Sequence, residues 1–306
     1  MRPYFKAAAT ALLLSVGPTS LHADEYQVNV VARGLNKPTG IAIRGNDELY
    51  FTEVPTPGVA GQQNGVKQLD LDSGEIRTIH VGEPDPTNIA IDRAGNLYWT
   101  CRSAGVILEQ DPEEDQSTAT VVARNLQRPT GIALNRRGDI YFTEVPTPAL
   151  AGPSGGKNTV SVIPHGSTEI KVLDAGDPEP TDIVSGVFGE QYWTCKSAGV
   201  IVRRTFDGKT TPILQGLNKP VGIALSRSGR FLYWTEVPTP GVAGSAGGQN
   251  KIWEYDLFLR VKKLVHSGDP EPTDITVSRR GDLYWTCTSA GVILEAKRGR
   301  PLPYRY

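Results

Sequence analysis

The chain has 306 residues, 32 of them basic and 33 acidic, and a net charge of −1 with the two signs interspersed. That balance provides no basic face for nucleic acid and no polybasic anchor for a membrane surface. With 33 Gly and 23 Pro set between short alternating apolar runs, the composition points to many strands joined by turns, without helical periodicity.

Arg2 and Lys6 precede an apolar run from Ala7 to Val16, and a polar stretch then ends in the small residue Ala23. This is the layout of a secretory signal peptide over residues 1–23, so a secreted or periplasmic protein is expected. An apolar run of about ten residues is too short to cross a bilayer as a helix, and no later run is long enough either. Residues 24–296 are expected to form one domain, and residues 297–306 a charged tail.

One unit of about 92 residues then occurs three times, each copy holding two related half-units. The first half carries Tyr50-Phe51-Thr52-Glu53-Val54-Pro55-Thr56-Pro57, repeated over residues 141–148 and, with Trp for Phe, over 233–240. The second carries Tyr98-Trp99-Thr100-Cys101 followed by Ser103-Ala104-Gly105-Val106-Ile107, repeated from Tyr192 and Tyr284. Six half-units of about 45–50 residues match four-stranded propeller blades in size. Each opens with Pro and a short inner strand, such as Pro38-Thr39-Gly40-Ile41-Ala42-Ile43 or Pro86-Thr87-Asn88-Ile89-Ala90-Ile91. The last half-unit supplies only three strands, near Asp274, Tyr284 and Val292. The segment from Tyr26 to Ala32 resembles the fourth strand near Val121, and both run into a Leu-x-Lys/Arg-Pro turn. The N-terminal strand is therefore expected to complete the last blade and close the ring. The fold expected is all-β, a six-bladed β-propeller of four-stranded blades.

Strand order puts the start of each inner strand and the end of each second strand on one face, at the mouth of the central channel. Antiparallel pairing predicts Thr39 beside Glu53, Thr130 beside Glu144, Val221 beside Glu236, Asn88 or Thr87 beside Cys101, Asp182 beside Cys195 and Asp274 beside Cys287. Lys37, Arg128 and Lys219 precede Pro in the odd half-units; Asp85, Glu179 and Glu271 do so in the even ones, with Glu83, Asp177 and Asp269 nearby. Charges alternating in sign around a ring predict ion pairs between neighbouring blades. Alternatively, Thr39, Asn88, Thr130, Asp182 and Asp274, with Lys37, Arg128 and Lys219, form a ligand-binding rim. Asp182 and Asp274 stand out because they replace the Gly of the odd half-units.

Glu53, Glu144 and Glu236 form a second set. Three inward carboxylates repel one another unless Lys37, Arg128 and Lys219 or a divalent cation neutralises them, and oxygen ligands suit Ca²⁺ or Mg²⁺. The loops after them are long and Pro-rich, and are expected to crown the mouth. Cys101, Cys195 and Cys287 form a third set and a candidate thiolate metal site. Magnitude argues against a shared ion, because strands about 4.8 Å apart place three such positions ~17 Å from one another. Zinc would need the sulfurs within ~4 Å, and a disulfide needs Cα atoms within about 7 Å. Three separate buried thiols are expected, with metal or redox use as the alternative.

The Pro-x-Gly-Ile-Ala start followed by Gly-x-Leu/Ile-Tyr-Phe/Trp-Thr resembles the NHL, SMP-30/gluconolactonase and YWTD group of six-bladed propellers. The Phe-Thr-Glu ending is also similar to the repeats of virginiamycin B lyase, a seven-bladed family. The resemblance covers the mature chain and implies the fold. The lactonase ligand set of Glu, Asn and Asp does not carry over, since those places read Pro-Thr-Gly, Pro-Val-Gly, Pro-Thr-Asn and Pro-Thr-Asp. The lyase's general-base His corresponds here to Thr or Val, although Glu53, Glu144 and Glu236 match its metal-binding position. Three functions stay open: binding of a small molecule or divalent cation at the channel mouth, metal-dependent hydrolase or lyase chemistry, and a protein-interaction scaffold.

Overall fold

The computed structural model describes residues 26–55, 63–82, 85–114, 119–146, 156–238 and 249–299. The segment expected as a signal peptide, Glu83 and most of the Pro-rich loops expected at the mouth lie outside these residues. The described chain is all β, in six antiparallel sheets of four strands. The inner strands are Pro38–Arg44, Pro86–Ile91, Pro129–Leu134, Pro180–Ser185, Pro220–Leu225 and Pro272–Val277, for blades 1 to 6. Each packs against the next, and the sixth against the first, so the ring is closed.

Closure uses the N-terminal strand as expected. Tyr26–Ala32 is the outer strand of blade 6, paired antiparallel with Val292–Arg298 from Tyr26↔Arg298 to Ala32↔Ile293. That partner strand runs two residues into the segment expected as a tail. No helix among the described residues is long and apolar enough to cross a membrane.

The second strands explain the repeated aromatic motif. Every residue of Leu97–Cys101, Gln191–Cys195 and Leu283–Cys287 is buried, because neighbouring blades cover both faces of the sheet. Strict alternation is lost for the same reason. Trp99, Trp193, Trp234 and Trp285 have no exposed surface, and burying a large apolar side chain is worth about 1.5–3 kcal/mol. The clusters span blade boundaries: Ala42 and Tyr50 of blade 1 pack with Ile89, Trp99 and Cys101 of blade 2. Across the closure seam, Ile41, Leu49 and Phe51 pack with Tyr284 and Ile293.

The pairing at the start of each inner strand departs from the expected register. Pro38, Pro86, Pro129, Pro180, Pro220 and Pro272 stand opposite Glu53, Cys101, Glu144, Cys195, Glu236 and Cys287. The register then shifts by one extra residue, a β-bulge, before regular pairing resumes. A bulge leaves a backbone N–H without its ladder partner, and the Thr of the second-strand motif supplies one. Thr52 Oγ1 accepts from Gly40 N at 2.8 Å, Thr100 from Asn88 N at 3.2 Å and Thr143 from Gly131 N at 2.8 Å. Thr194, Thr235 and Thr286 do the same for Asp182, Gly222 and Asp274. The same hydroxyl donates to the next blade: Thr100 to Thr130 O at 2.7 Å, Thr194 to Val221 O and Thr286 to Thr39 O, both at 2.6 Å. One hydroxyl thus satisfies the bulge and stitches two blades together.

Candidate functional site

The bulged position is where the blades approach one another most closely, and it explains the alternation of Gly with Asn or Asp. A Cβ on Gly40 would lie 2.6 Å from Asn88 Cα, and one on Gly131 or Gly222 equally near Asp182 or Asp274 Cα. Odd blades must therefore carry Gly there, whereas even blades send a polar side chain toward the axis. Asn88, Asp182 and Asp274 are all buried. They meet on the axis as an internal clasp and line the axial cavity.

Four contacts in the clasp satisfy backbone donors. Asp182 accepts from Ile183 N at 2.7 Å, from Ile223 N at 2.8 Å in the next blade, and from Asn88 Nδ2 at 3.0 Å. Asp274 accepts from Ile275 N at 2.7 Å and from Ile41 N at 2.8 Å, across the closure seam. The two carboxyls also hydrogen-bond to each other. Burial raises both above the ordinary carboxyl range, and the negative charge of Asp182 raises Asp274 further. Asp182 has the additional donor Asn88 Nδ2, so Asp274 is the more readily protonated of the two. The clasp residues Asn88, Asp182 and Asp274 line an axial cavity of about 300 Å³ together with aliphatic residues such as Ile89, Ile132, Ile183 and Ile275.

Of the other rim candidates, the two threonines are used within their own blades. Thr39 bonds Thr52 at 2.7 Å, and Thr130 bonds Thr143 at 2.8 Å. Lys37, Asp85, Arg128, Glu179, Lys219 and Glu271 share a left-handed backbone, with φ between 49 and 58°. That turn aims each carbonyl at the N–H following the second strand: Val54 to Lys37 O at 3.3 Å and Arg102 to Asp85 O at 3.0 Å are two of the six. The expected ion pairs between blades are replaced by pairs within a blade, Arg102 with Asp85 at 2.9 Å and Lys196 with Glu179 at 3.7 Å. Burial alone would raise Asp85, but the Arg102 guanidinium and Ser103 hydroxyl hold it below the usual carboxylate range. A residue directly after the Cys reaches back over the turn more easily than one from the next blade.

The Glu set is also held locally. Glu53 accepts from Asn36 N at 2.8 Å and lies 3.6 Å from Lys67, rather than against Lys37. Glu144 accepts from Gln127 N at 2.5 Å and from Thr159 at 3.0 Å, and Glu236 accepts from Trp234 Nε1 at 3.2 Å. In two even blades the same indole donor is served from the loop before the inner strand, Trp193 by Asp177 at 2.8 Å and Trp285 by Asp269 at 2.9 Å. Among the described residues, no group of three or more His, Cys, Asp or Glu side chains is arranged to hold a metal ion. The Glu carboxylates are each engaged by donors of their own blade.

All three cysteines are free and buried. Burial raises the Cys195 thiol far above its ordinary value, and Asp177 raises it further; Cys287 is raised in the same way by burial and Asp269. Nucleophilicity belongs to the thiolate, so burial makes Cys195 and Cys287 poor nucleophiles. A thiol reagent is expected to leave all three unmodified in the native protein and to label all three in denaturant. Fast labelling of the native chain, or a mapped disulfide, would contradict this.

Sequence reasoning missed a feature on the opposite face, where the inner strands end. Phe188, Phe206 and Phe258 are 79%, 82% and 82% exposed. Phe188 separates two grooves of about 690 and 510 Å³, the first also lined by Arg203, Arg230, Tyr255 and Arg260, the second by Arg136, Arg137 and Arg204. The signal was present: Val187-Phe188-Gly189, Phe206-Asp207-Gly208 and Phe258-Leu259-Arg260 place Phe in turns, outside any strand alternation.

Fold and site together define a six-bladed β-propeller, closed by its N-terminal strand and clasped on its axis by a buried pair of carboxyls. No family model matches the chain. It is 27% identical to low-density lipoprotein receptor-related protein 1 of Pyricularia oryzae (strain 70-15), over 84% of this chain and 91% of that protein. Among solved structures it resembles the calcium-binding protein regucalcin of Agrobacterium tumefaciens strain C58, with TM-score 0.65 and 13% identity over 92% of this chain and 98% of that one. Streptogramin B lyase gives TM-score 0.59 and 17% identity, over 89% and 97%. The nidogen/laminin complex gives 0.59 and 18%, over 76% and 80%. Likeness at this identity establishes the shared fold and leaves function to the residues.

Proposed function

We propose that this chain is an exported protein-binding propeller whose docking surface is the face where the inner strands end. The observation that carries this reading is the exposure of Phe188, Phe206 and Phe258 beside arginine-lined grooves. Exposed apolar patches of this kind mark interaction sites, and aromatic and Arg side chains dominate interface energetics. One structural neighbour is itself a complex of two proteins, nidogen and laminin. Export rests on residues 1–23 and agrees with thiols that burial shields from oxidation.

A photo-crosslinking residue at position 206 or 258 tests the reading in the native extracellular fluid. Discrete adducts are expected there, lost on Phe188→Ser with an unchanged melting temperature, and absent from a probe at Lys37 on the other face. Equal adducts from both faces, or none, would overturn it.

The axial cavity favours a second reading, a small apolar ligand entering from the same face. At about 300 Å³ it sits at the lower end of ligand-pocket volumes. Its polar floor is already satisfied within the protein, so this reading ranks second. A divalent cation there would find Asp182 and Asp274 accepting four backbone bonds. Those oxygens are ill suited to coordination unless the clasp opens.

A further inference from the structure

The face that carries the exposed phenylalanines is divided by charge. In blades 1 and 2 its turns present Asp47, Asp72, Glu75, Asp111, Glu113 and Glu114, all exposed. In blades 4 and 5 the turns present Lys209, Arg227, Arg230 and Arg260, together with the three Phe and Leu259. Six blades are spaced by about 60° around the axis, so blades 1–2 and blades 4–5 are diametrically opposed.

That arrangement is self-complementary under one symmetry operation. A two-fold axis lying in this face and passing through blades 3 and 6 exchanges blade 1 with blade 5 and blade 2 with blade 4. Equivalent turns lie at equal radius, so they meet in pairs. Arg227 then meets Asp47, both in the turn after the inner strand. Arg260 meets Asp72 and Glu75, both in the turn before the outer strand, and Lys209 meets Glu113 and Glu114 in the same way. Phe258 and Leu259 fall over Ile76, itself 40% exposed, and Arg93 falls over Phe188, where a cation–π contact is available.

Resting on the reading of this face as a docking surface, we propose that its occupant is a second copy of the chain, joined about that two-fold axis. An isologous interface repeats each contact twice, so three matched turns give six. Part of the charge is already used: Glu113 lies 3.6 Å from Arg44 and 3.5 Å from Arg77, and Arg230 pairs with Asp256. Asp207 sits beside Lys209 and opposes the match at that turn. Arg136, Arg137, Arg279 and Arg280 lie near the axis and face their own copies, which weakens the dimer. Arg279→Ser with Arg280→Ser should therefore tighten it.

Sedimentation equilibrium of the mature protein tests the proposal. A monomer–dimer equilibrium is expected, weakening as salt rises to about 0.5 M because exposed charges are screened. Arg227→Glu with Arg260→Glu should weaken self-association at least about tenfold, and so should Asp47→Lys with Glu75→Lys, since each change removes about 1.4 kcal/mol or more. Mixing the two variants should restore a heterodimer. All four positions are exposed, so unchanged melting of each variant is the control. A chain monomeric at every concentration, or variants that dimerise alike and fail to complement, would overturn the second copy as occupant. Adducts to other proteins at position 258 would in that case leave the docking reading standing; their absence as well would remove both.

Discussion

Deleting residues 24–33 is expected to abolish the folded protein. Tyr26–Ala32 supplies the outer strand of blade 6, so its loss strips a full ladder from Val292–Arg298. It also removes the Tyr26 hydroxyl bond to Glu254 at 2.7 Å, which ties blade 6 to blade 5. Val28 and Val30 leave the cluster around Trp285, and Ala32 leaves the cluster at the seam with blade 1. Burial of apolar surface is worth about 25 cal/mol per Å², and the half-buried Tyr26, Val28 and Val30 with buried Ala32 are lost together with the whole ladder, against a total stability of about 5–15 kcal/mol. The exposed edge of Val292–Arg298 would also template aggregation. Soluble yield and near-ultraviolet circular dichroism measure the outcome. A truncated chain that melts cooperatively at the temperature of the intact one would show that closure is dispensable. Adding the missing strand as a separate peptide should restore solubility if the defect is the open seam alone.

The second large effect is expected at the carboxyl clasp. Asp274→Ala leaves Ile41 N and Ile275 N without their acceptor and removes the carboxyl that hydrogen-bonds Asp182. Each buried donor left unsatisfied costs about 1–3 kcal/mol, so a loss of several kcal/mol is expected. Asp274→Asn keeps an acceptor and a donor and should recover much of it. The two variants also separate structure from titration.

Asp182 and Asp274 are both raised above the ordinary value of 3.8. A raised folded-state value means that the unfolded chain gives up its proton first as pH increases. The contribution of the pair is therefore complete below about pH 4 and is lost as pH climbs toward the raised folded values. The stability of the wild-type protein minus that of Asp274→Asn should fall with rising pH over this window, by up to about 1.4 kcal/mol per unit for each proton. Asp70, Asp85, Asp207 and Asp256 are lowered instead and act in the opposite sense. They occur in both proteins, so they cancel in the difference. Asn88 and Asp182 are the polar side chains facing Asp274 on the axis, with no cation described among its partners. A difference that stays flat from pH 4 to neutrality, measured by denaturant unfolding, would refute the raised values.

The repeat itself determined the architecture. Six half-units with a Tyr-Phe/Trp-Thr strand, only three strands in the half-unit that opens at Pro272, and a fourth-strand copy near Val28 specify a closed ring. Local pattern suffices there, because each blade is assembled from residues close in sequence. The same holds for the buried thiols, whose spacing alone keeps them apart.

The tertiary structure decided what the candidate side chains do. Asp182 and Asp274 are 92 residues apart, and only ring geometry brings their carboxyls together on the axis. The role of Gly40, Gly131 and Gly222 is likewise invisible in a single strand, since the atoms that exclude a Cβ belong to the next blade. Thr52 and its five equivalents read as ladder packing in sequence, but the bulge that needs their hydroxyls exists only once inner and second strands are paired. Glu53, Glu144 and Glu236 look like one set by repetition, yet only Glu53 and Glu144 take the equivalent backbone donor, Asn36 N and Gln127 N, while Glu236 accepts from the Trp234 indole. Repetition specifies positions around a ring; distance and desolvation decide which of them interact.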